Sequence, residues 1–539
     1  MRNPDTPKNA IAPGLVILHA NRLESLRDLA IEFGRSYPLA PLENDVFLVQ
    51  SNGMAQWLKL AFAGGDGLGI SAALQFLMPS RFLWQAYRQV LGAAAVPKTS
   101  PFDESRLVWR LYRWLSHSLP NLPESGWQES EKLAMLYAPL RRYLHDTEDA
   151  GKCFALAQKL ADLFDQYQVY RADWLNAWQA GFDVLPAAAM ANEFSAGRAP
   201  DLLWATPPSV PEAQRWQPAL WRALTAEVEV SLQQSGRSHV HQAFLDALRS
   251  KRYVASGLPR RLQVFGLSSM STQMLEAIDA LAKHVQVLVY VVNPCPHYWV
   301  DIMDGREMLG VTRHRHQRKP GLPPMLPLEQ VAVKANPLLA AWGKQGRDFI
   351  GMLYRYDPDE VSHSKIDLFE SPIDAGTDCL LTRIQNAIFD LQPLPSLSSA
   401  GAESRQPVAA GDRSLQFHIC HSRQREVEVL HDRLLDLFEQ HPELQPRDVI
   451  VMAPDIDGYA AHVEAVFGNV GREDARYIPY TLADRPERAC HPMAAALASL
   501  LRLPDLRFTV SDLLGLLEVA ALRQRFAINE TELPVLQRW

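Results

Sequence analysis

Residues 15–33 read LVILHANRLESLRDLAIEF. Leu15 to Ala20 is a short apolar run containing the β-branched pair Val16 and Ile17, the pattern of a buried strand. Asn21 and Arg22 interrupt it. Leu23, Leu26, Leu29, Ala30 and Phe33 then recur at helical spacing. The stretch predicts strand, loop and helix, with Asn21 as the helix N-cap. The pattern repeats at once: Val46 to Val49 reads as a buried strand, Gln50 to Gly53 as a loop, and Met54 to Phe62 as a helix. Two such units in tandem predict an α/β fold with a parallel sheet and crossover helices.

Between about Pro79 and Gly257 helical periodicity dominates, and Phe154 to Trp178 reads as one long helical region. The α/β pattern returns with strands at Leu262–Leu267 and Val285–Val292 flanking a helix over Thr272–Lys283. The sequence therefore predicts one α/β domain, residues 14–80 plus 258–392, carrying an all-helical insertion over 81–257. Pro337 to Tyr356 reads as a further helix. Pro393 to Asp412 is rich in Pro, Ser, Gly and Ala, which is linker composition, and the linker is placed at 393–411. A second α/β unit is expected over 412–539. Its strands are Leu415–Cys420 and Val449–Ala453, and its helices cover Gln424–Glu439, Tyr459–Phe467, Leu497–Leu503 and Val510–Leu517. Residues 1–13, polar and with three prolines, read as a loose tail on a cytoplasmic protein.

A chain of 539 residues with 47% hydrophobic and 21% charged residues has ample material for several cores. No apolar run approaches the ~20 residues of a membrane helix. The formal net charge is −7, so any nucleic-acid site must be local, or must read bases as much as phosphates. The five cysteines are too scattered for a zinc ribbon or a disulfide framework.

Motif chemistry narrows the function further. ATP hydrolysis needs a phosphate-cradling loop with Lys and Ser/Thr after the first strand, and Ala20-Asn-Arg22 supplies neither. Asp162, Asp165 and Gln166 fall on one helical face, open to three readings: a solvated face, a ligand contact or a metal site. Asp357 to Glu360 reads as a solvated turn. His418-Ile-Cys-His421 has no second ligand cluster to complete a metal site. The basic run Arg313 to Lys319 is a solvated loop, a phosphate contact or a partner patch. Ten of the 13 tryptophans lie between Trp57 and Trp221; that suits a core, but Gln50, Asn52, Gln56, Trp57 and Trp84 also supply amides for base edges and indoles for base faces.

Several stretches resemble one family. They are Val49-Gln-Ser-Asn-Gly-Met-Ala-Gln-Trp-Leu58, Ala161-Asp-Leu-Phe-Asp-Gln-Tyr-Gln-Val-Tyr-Arg171, Asn293-Pro-Cys295, Asn336-Pro-Leu-Leu-Ala340 and His418-Ile-Cys-His-Ser422. All are similar to the RecC family, the gamma chains of exodeoxyribonuclease V (the RecBCD helicase–nuclease). The resemblance implies an inactive superfamily-one-helicase-like fold whose motor residues are lost. It also implies a non-catalytic subunit that holds RecB and RecD, receives the 3′ single strand of forked DNA and recognises Chi. ATP and Mg would be used by the partner subunits, with no cofactor on this chain and no membrane contact.

The matching Chi-reading positions are Gln50, Asn52, Gln56, Met78, Trp84, Asp162, Leu163, Asp165, Gln166, Arg171 and Arg237. Asn52 stands where the family has Thr, and Met78 where it has Leu. An Asp accepts from a cytosine amine but repels phosphate, so acids in a DNA channel suit base reading. In a straight helix Arg171 faces away from Asp162, so their joint action requires the helix to end or bend near Val169. The family's chains continue well beyond the point corresponding to Trp539, and the second motor-like domain is expected to be incomplete here. Two other readings stay open: an autonomous ATP-driven helicase, and a structural adaptor without DNA contact.

Overall fold

The computed structural model of the chain describes residues 12–93, 95–121, 135–144, 150–185, 208–228, 236–250, 257–300, 336–354, 363–375, 378–392, 407–483, 491–503, 507 and 509–538. The chain divides into two units, Met1–Ser414 and Leu415–Trp539. The first is built on a six-stranded sheet in the order β3-β2-β4-β5-β1-β6. The strands are β1 (Gly14–Ala20), β2 (Asp45–Leu48), β3 (Leu74–Leu77), β4 (Arg261–Phe265), β5 (Gln286–Val292) and β6 (His363–Leu368). Every pairing is parallel, with Val16 opposite Leu288 and Val46 opposite Leu262.

Alternation along the strands builds two cores, because successive side chains leave opposite faces of a sheet. Leu15, Ile17, Val46, Leu48, Val287 and Val289 enter one core. Leu18, Ala20, Phe47, Val49, Leu288 and Tyr290 enter the other. Helices α1 (Leu23–Ser36) and α2 (Asn52–Ala63) cover the second face. The first face is covered by α3 (Pro79–Leu91), α9 (Arg237–Arg249) and α10 (Thr272–Ala282). The chain thus winds one way along the sheet from β1 to β3 and returns on the other face through β4 and β5.

The helical segment between α3 and α9 has its own core, running from Phe102 to Val228. It contains α4 (Glu104–Arg113), α5 (Ala138–Leu144), α6 (Ala150–Tyr170), α7 (Ala172–Gln179) and α8 (Trp216–Ala226). α3 and α9 lie inside the expected insertion but bury Phe82, Tyr87, Val240 and Phe244 in the sheet's core.

At the amino ends of the strands a buried charge network ties β2, β4 and β5. Arg261, 2% exposed, pairs with Asp45 through two guanidinium nitrogens and donates to Tyr37 O at 2.8 Å. Gln263 Nε2 also donates to Asp45 at 2.9 Å, and the Tyr290 hydroxyl donates to Gln263 at 2.8 Å.

Several local expectations are corrected. The N-cap of α1 is Arg22; the Asn21 side chain instead receives the Glu370 N–H at 3.0 Å and donates to the Glu370 carbonyl at 2.7 Å. Asn52 and Gly53 belong to the first turn of α2, because the Ser51 hydroxyl caps it by accepting from Met54 N–H at 3.2 Å. The helix expected over Pro337–Tyr356 is two, Pro337–Trp342 and Lys344–Leu353, parted at Gly343. β3 and β6 were not anticipated from the sequence.

The second unit carries helices Arg423–Gln440, Asp457–Val466, Pro492–Leu501 and Val510–Leu517 near their expected positions. Its two expected strands are absent. Leu415–Cys420 and Val449–Ala453 carry no ladder bonds, and Phe417 and Ile419 are 90% and 100% exposed. Among the described residues no neighbouring strand pairs with them, and an unpaired apolar segment cannot become a strand on propensity alone. The α/β character expected of 412–539 is therefore not present in its described residues. Arg313–Lys319, Asp357–Glu360, the tail over residues 1–11 and most of the linker lie outside the described residues.

Candidate nucleic-acid interface

In a parallel sheet, side chains that meet ligands gather beyond the carboxyl ends of the strands. Here β3, β2 and β4 are neighbours, so the residues that follow them share one edge: Met78 after β3, Gln50 after β2, and Ser268 after β4. The Ser268 hydroxyl donates to Gln50 Oε1 at 3.4 Å. Gly266 turns the chain out of β4 with φ +63°, a left-handed conformation in which a side chain is strained. Asn52 and Gln56, four residues apart on α2, are both exposed on one helix face.

Beside this edge lies a cavity of about 380 Å³. Its walls come from α3 (Leu83, Trp84), the start of α9 (Arg237), the loop after β4 (Ser269, Met270) and the end of α6 (Tyr170). Three cations, Arg81, Lys98 and Arg237, face it, against one carboxylate, Asp103. A locally positive cavity thus sits in a chain of net charge −7. Arg237 is held from α6: its guanidinium lies 3.2 Å from Asp165 and 3.9 Å from Asp103. Burial, opposed by Arg237 and aided by Asp103 and Asp162, raises the Asp165 carboxyl from its ordinary value.

From Tyr87 in the cavity wall a relay runs through buried His241 to the part-exposed Glu276. His241 Nε2 lies 2.9 Å from the Glu276 carboxylate, and Nδ1 lies 2.7 Å from the Tyr87 hydroxyl. A carboxylate only accepts, so Nε2 carries the hydrogen; in the neutral ring Nδ1 then accepts from the Tyr87 O–H. Burial and the nearby Glu276 raise the Tyr87 pKa, keeping the phenol protonated. The relay joins α3, α9 and α10, the three helices that supply Trp84, Arg237 and Met274 to the cavity.

The residues expected from the sequence fall into three groups. Gln50, Asn52 and Gln56 share the strand-end edge. Met78, which precedes α3, falls on that same edge, while Trp84 and Arg237 line the cavity and Asp165 pairs with Arg237. Asp162, Leu163, Gln166 and Arg171 do not line it. Asp162 accepts from Gln166 Nε2 at 3.2 Å on the exposed face of α6, and Leu163 is half-buried. The helix does end at Arg171, whose φ of −138° and ψ of 45° separate α6 from α7. The guanidinium of Arg171 is engaged by Asp173 at 2.8 Å and lies 3.9 Å from the Trp174 ring centroid. Trp57 is less available than its type suggested, since the Arg27 guanidinium lies 5.2 Å over its ring. Trp84 offers a surface more than a donor, because its indole N–H already donates to Pro97 O at 3.2 Å. Sequence reasoning missed Tyr170, Lys98 and Arg81. The one signal for Tyr170 was its place at the helix end that Arg171 imposes.

This α/β unit with its helical insertion matches a family model, "RecC, N-terminal domain", over residues 15–391, and "RecBCD enzyme subunit RecC fourth domain" matches 490–539. The chain belongs to the RecC family. It is 36% identical to RecBCD enzyme subunit RecC of Escherichia coli strain K12, over 97% of this chain and 44% of that protein. For the Haemophilus influenzae subunit the identity is 34%, over 97% of this chain and 45% of that protein. For the Mycolicibacterium smegmatis subunit it is 26%, over 97% and 42%. The chain thus spans less than half the length of these relatives.

Proposed function

We propose that the chain is the DNA-reading portion of a non-catalytic subunit of a RecBCD-type exodeoxyribonuclease V, working with RecB and RecD in cytoplasmic double-strand-break repair. Its sheet is a helicase-like motor domain without motor chemistry. It receives the 3′ single strand of forked DNA and recognises Chi there, while ATP and Mg are used by the partner subunits. The observation that carries this reading is the convergence of exposed amides at the ends of β2 and α2 with a cation-rich cavity lined by Trp84 and Arg237. Amides read base edges, an indole packs on base faces, and cations take phosphates.

The absence of a phosphate loop supports the non-catalytic part. After β1 the chain runs into Asn21 and Arg22, and both are engaged by Glu370, the Arg22 pair at 3.0 Å. A carboxylate of the chain itself thus sits beside the turn where a motor would hold a nucleotide's phosphates. Among the described residues no helix is long and apolar enough to cross a membrane, and no cluster of metal ligands occurs.

The test is Chi-dependent switching in assembled complexes carrying Gln56→Ala or Asp165→Ala. The expected result is a weakened Chi response with intact unwinding. An unchanged response removes the site assignment, and robust ATPase activity of the chain free of partners removes the non-catalytic reading.

A further inference from the structure

The helical segment carries an aromatic face on which the family resemblance places no residue. Trp109 of α4 is 62% exposed. Its ring lies 5.2 Å from that of Phe154 on α6 and 6.3 Å from that of Tyr112, and those two rings are 6.1 Å apart. Tyr112 and Phe154 pack in turn on the segment's core, in which Leu107 and Leu111 of α4 and Ala157 and Leu160 of α6 are buried. The indole is thus the outermost member of a three-ring cluster seated on a packed helix pair, so docking it costs little side-chain freedom. A cluster of partly exposed rings, unlike a lone exposed side chain, marks a contact surface.

The charges around it select the kind of partner. From Ser105 to Arg113, α4 carries three arginines and no carboxylate. Arg110 turns inward and donates to Pro101 O at 3.3 Å and to Leu224 O. Arg106 and Arg113 stand three residues before and four residues after Trp109, on the same helix face. Arg113 is countered by Glu227 at 3.2 Å. Arg106 is exposed, and among the described residues no carboxylate pairs with it. One unpaired cation is too few for a nucleic-acid strand, whose binding neutralises several phosphates. Tryptophan, tyrosine and arginine are instead the residues that dominate protein–protein contacts. We propose that this face docks a partner protein: Trp109 enters an apolar pocket on it, and a carboxylate at the pocket's rim pairs with Arg106. The inference rests on the reading of this chain as part of a subunit that works with RecB and RecD.

The test uses the full-length subunit titrated with RecB, with RecD and with both. Hydroxyl-radical footprinting of the parent, which needs no variant, is expected to find Trp109 oxidised in the free subunit and protected in the assembly. Trp109→Ala is expected to weaken one of the pairings roughly 30-fold or more, the scale of a hot-spot truncation, with Trp109→Phe recovering most of the loss. Arg106→Glu is expected to weaken the same pairing, and less so as salt is raised. Thermal unfolding of the free subunit should be unchanged in all three variants, because both side chains are exposed. Protection already present in the free subunit would mean that the subunit's own chain covers the face, and would overturn the proposal. Pairings as tight in Trp109→Ala as in the parent would overturn it too, while the assembly reading stands. So would a loss of DNA binding with assembly intact, which would make the face a nucleic-acid surface. If the parent joins neither partner, the assembly reading falls and this docking surface with it.

Discussion

Tyr87→Phe removes one oxygen from the relay at the cavity wall and keeps the ring that packs edge-on against Phe244 at 4.9 Å. Tyr87 and His241 are 2% and 5% exposed, so the lost donor lay between two largely buried side chains. His241 Nδ1 is left as a buried acceptor, at a cost of about 1–3 kcal/mol. The relay spans α3, α9 and α10, so the cost falls on the opening of those helices rather than on the whole chain. Hydrogen exchange resolves this, because it reports local opening free energies segment by segment. Amides of α3 and α9 are expected to exchange roughly 5- to 150-fold faster, the rate equivalent of that energy. Amides of α1 and α2, on the opposite face of the sheet, keep their rates. Unchanged rates in α3 and α9 would refute the coupling role of the relay. Equal acceleration in all four helices would show general destabilisation instead.

Asp45→Ala leaves the Arg261 guanidinium buried without its carboxylate, and the first unit is expected to lose about 3–5 kcal/mol. The double variant Asp45→Ala/Arg261→Met should recover much of that loss in thermal unfolding. Asp165 has a folded pKa raised above its unfolded value, so its contribution favours the folded state at low pH and is lost as pH rises through the folded pKa. The parent is therefore expected to lose stability relative to Asp165→Asn as pH rises through the carboxylate range; parallel pH profiles would contradict this. Ser51→Ala removes the cap of α2 at a cost of about 1 kcal/mol. Faster exchange at Met54, with α1 unchanged, is the expected readout.

How much of this was legible depends on burial. β1, β2, β4 and β5 are interior strands packed on both faces, so they appear in the sequence as apolar runs. β6 reads HSKIDL and β3 reads LQFL; both are edge strands, and their polar residues hide the pattern. Apolar runs overstate the second unit, because Phe417-His-Ile419 has the composition of a strand but no described neighbour to pair with. An end of α6 near Arg171 was expected only because the resemblance carries Asp162 and Arg171 into one channel; the helix does end there, but neither residue lines the cavity. The cavity was not. Its walls come from α3, α6, α9 and the loop after β4, and its cations stand singly in the sequence, so no local run announced them.

The central claim is that the edge and cavity of the first unit meet the 3′ single strand. Photocrosslinking tests it most directly: a forked duplex with photoreactive bases along its 3′ tail, bound to the assembled complex, with adducts mapped on this chain. The predicted result is adducts at residues 50–56, 78–84, 170 and 268–271. Adducts confined to other subunits, or to surfaces of this chain away from those positions, would contradict the account.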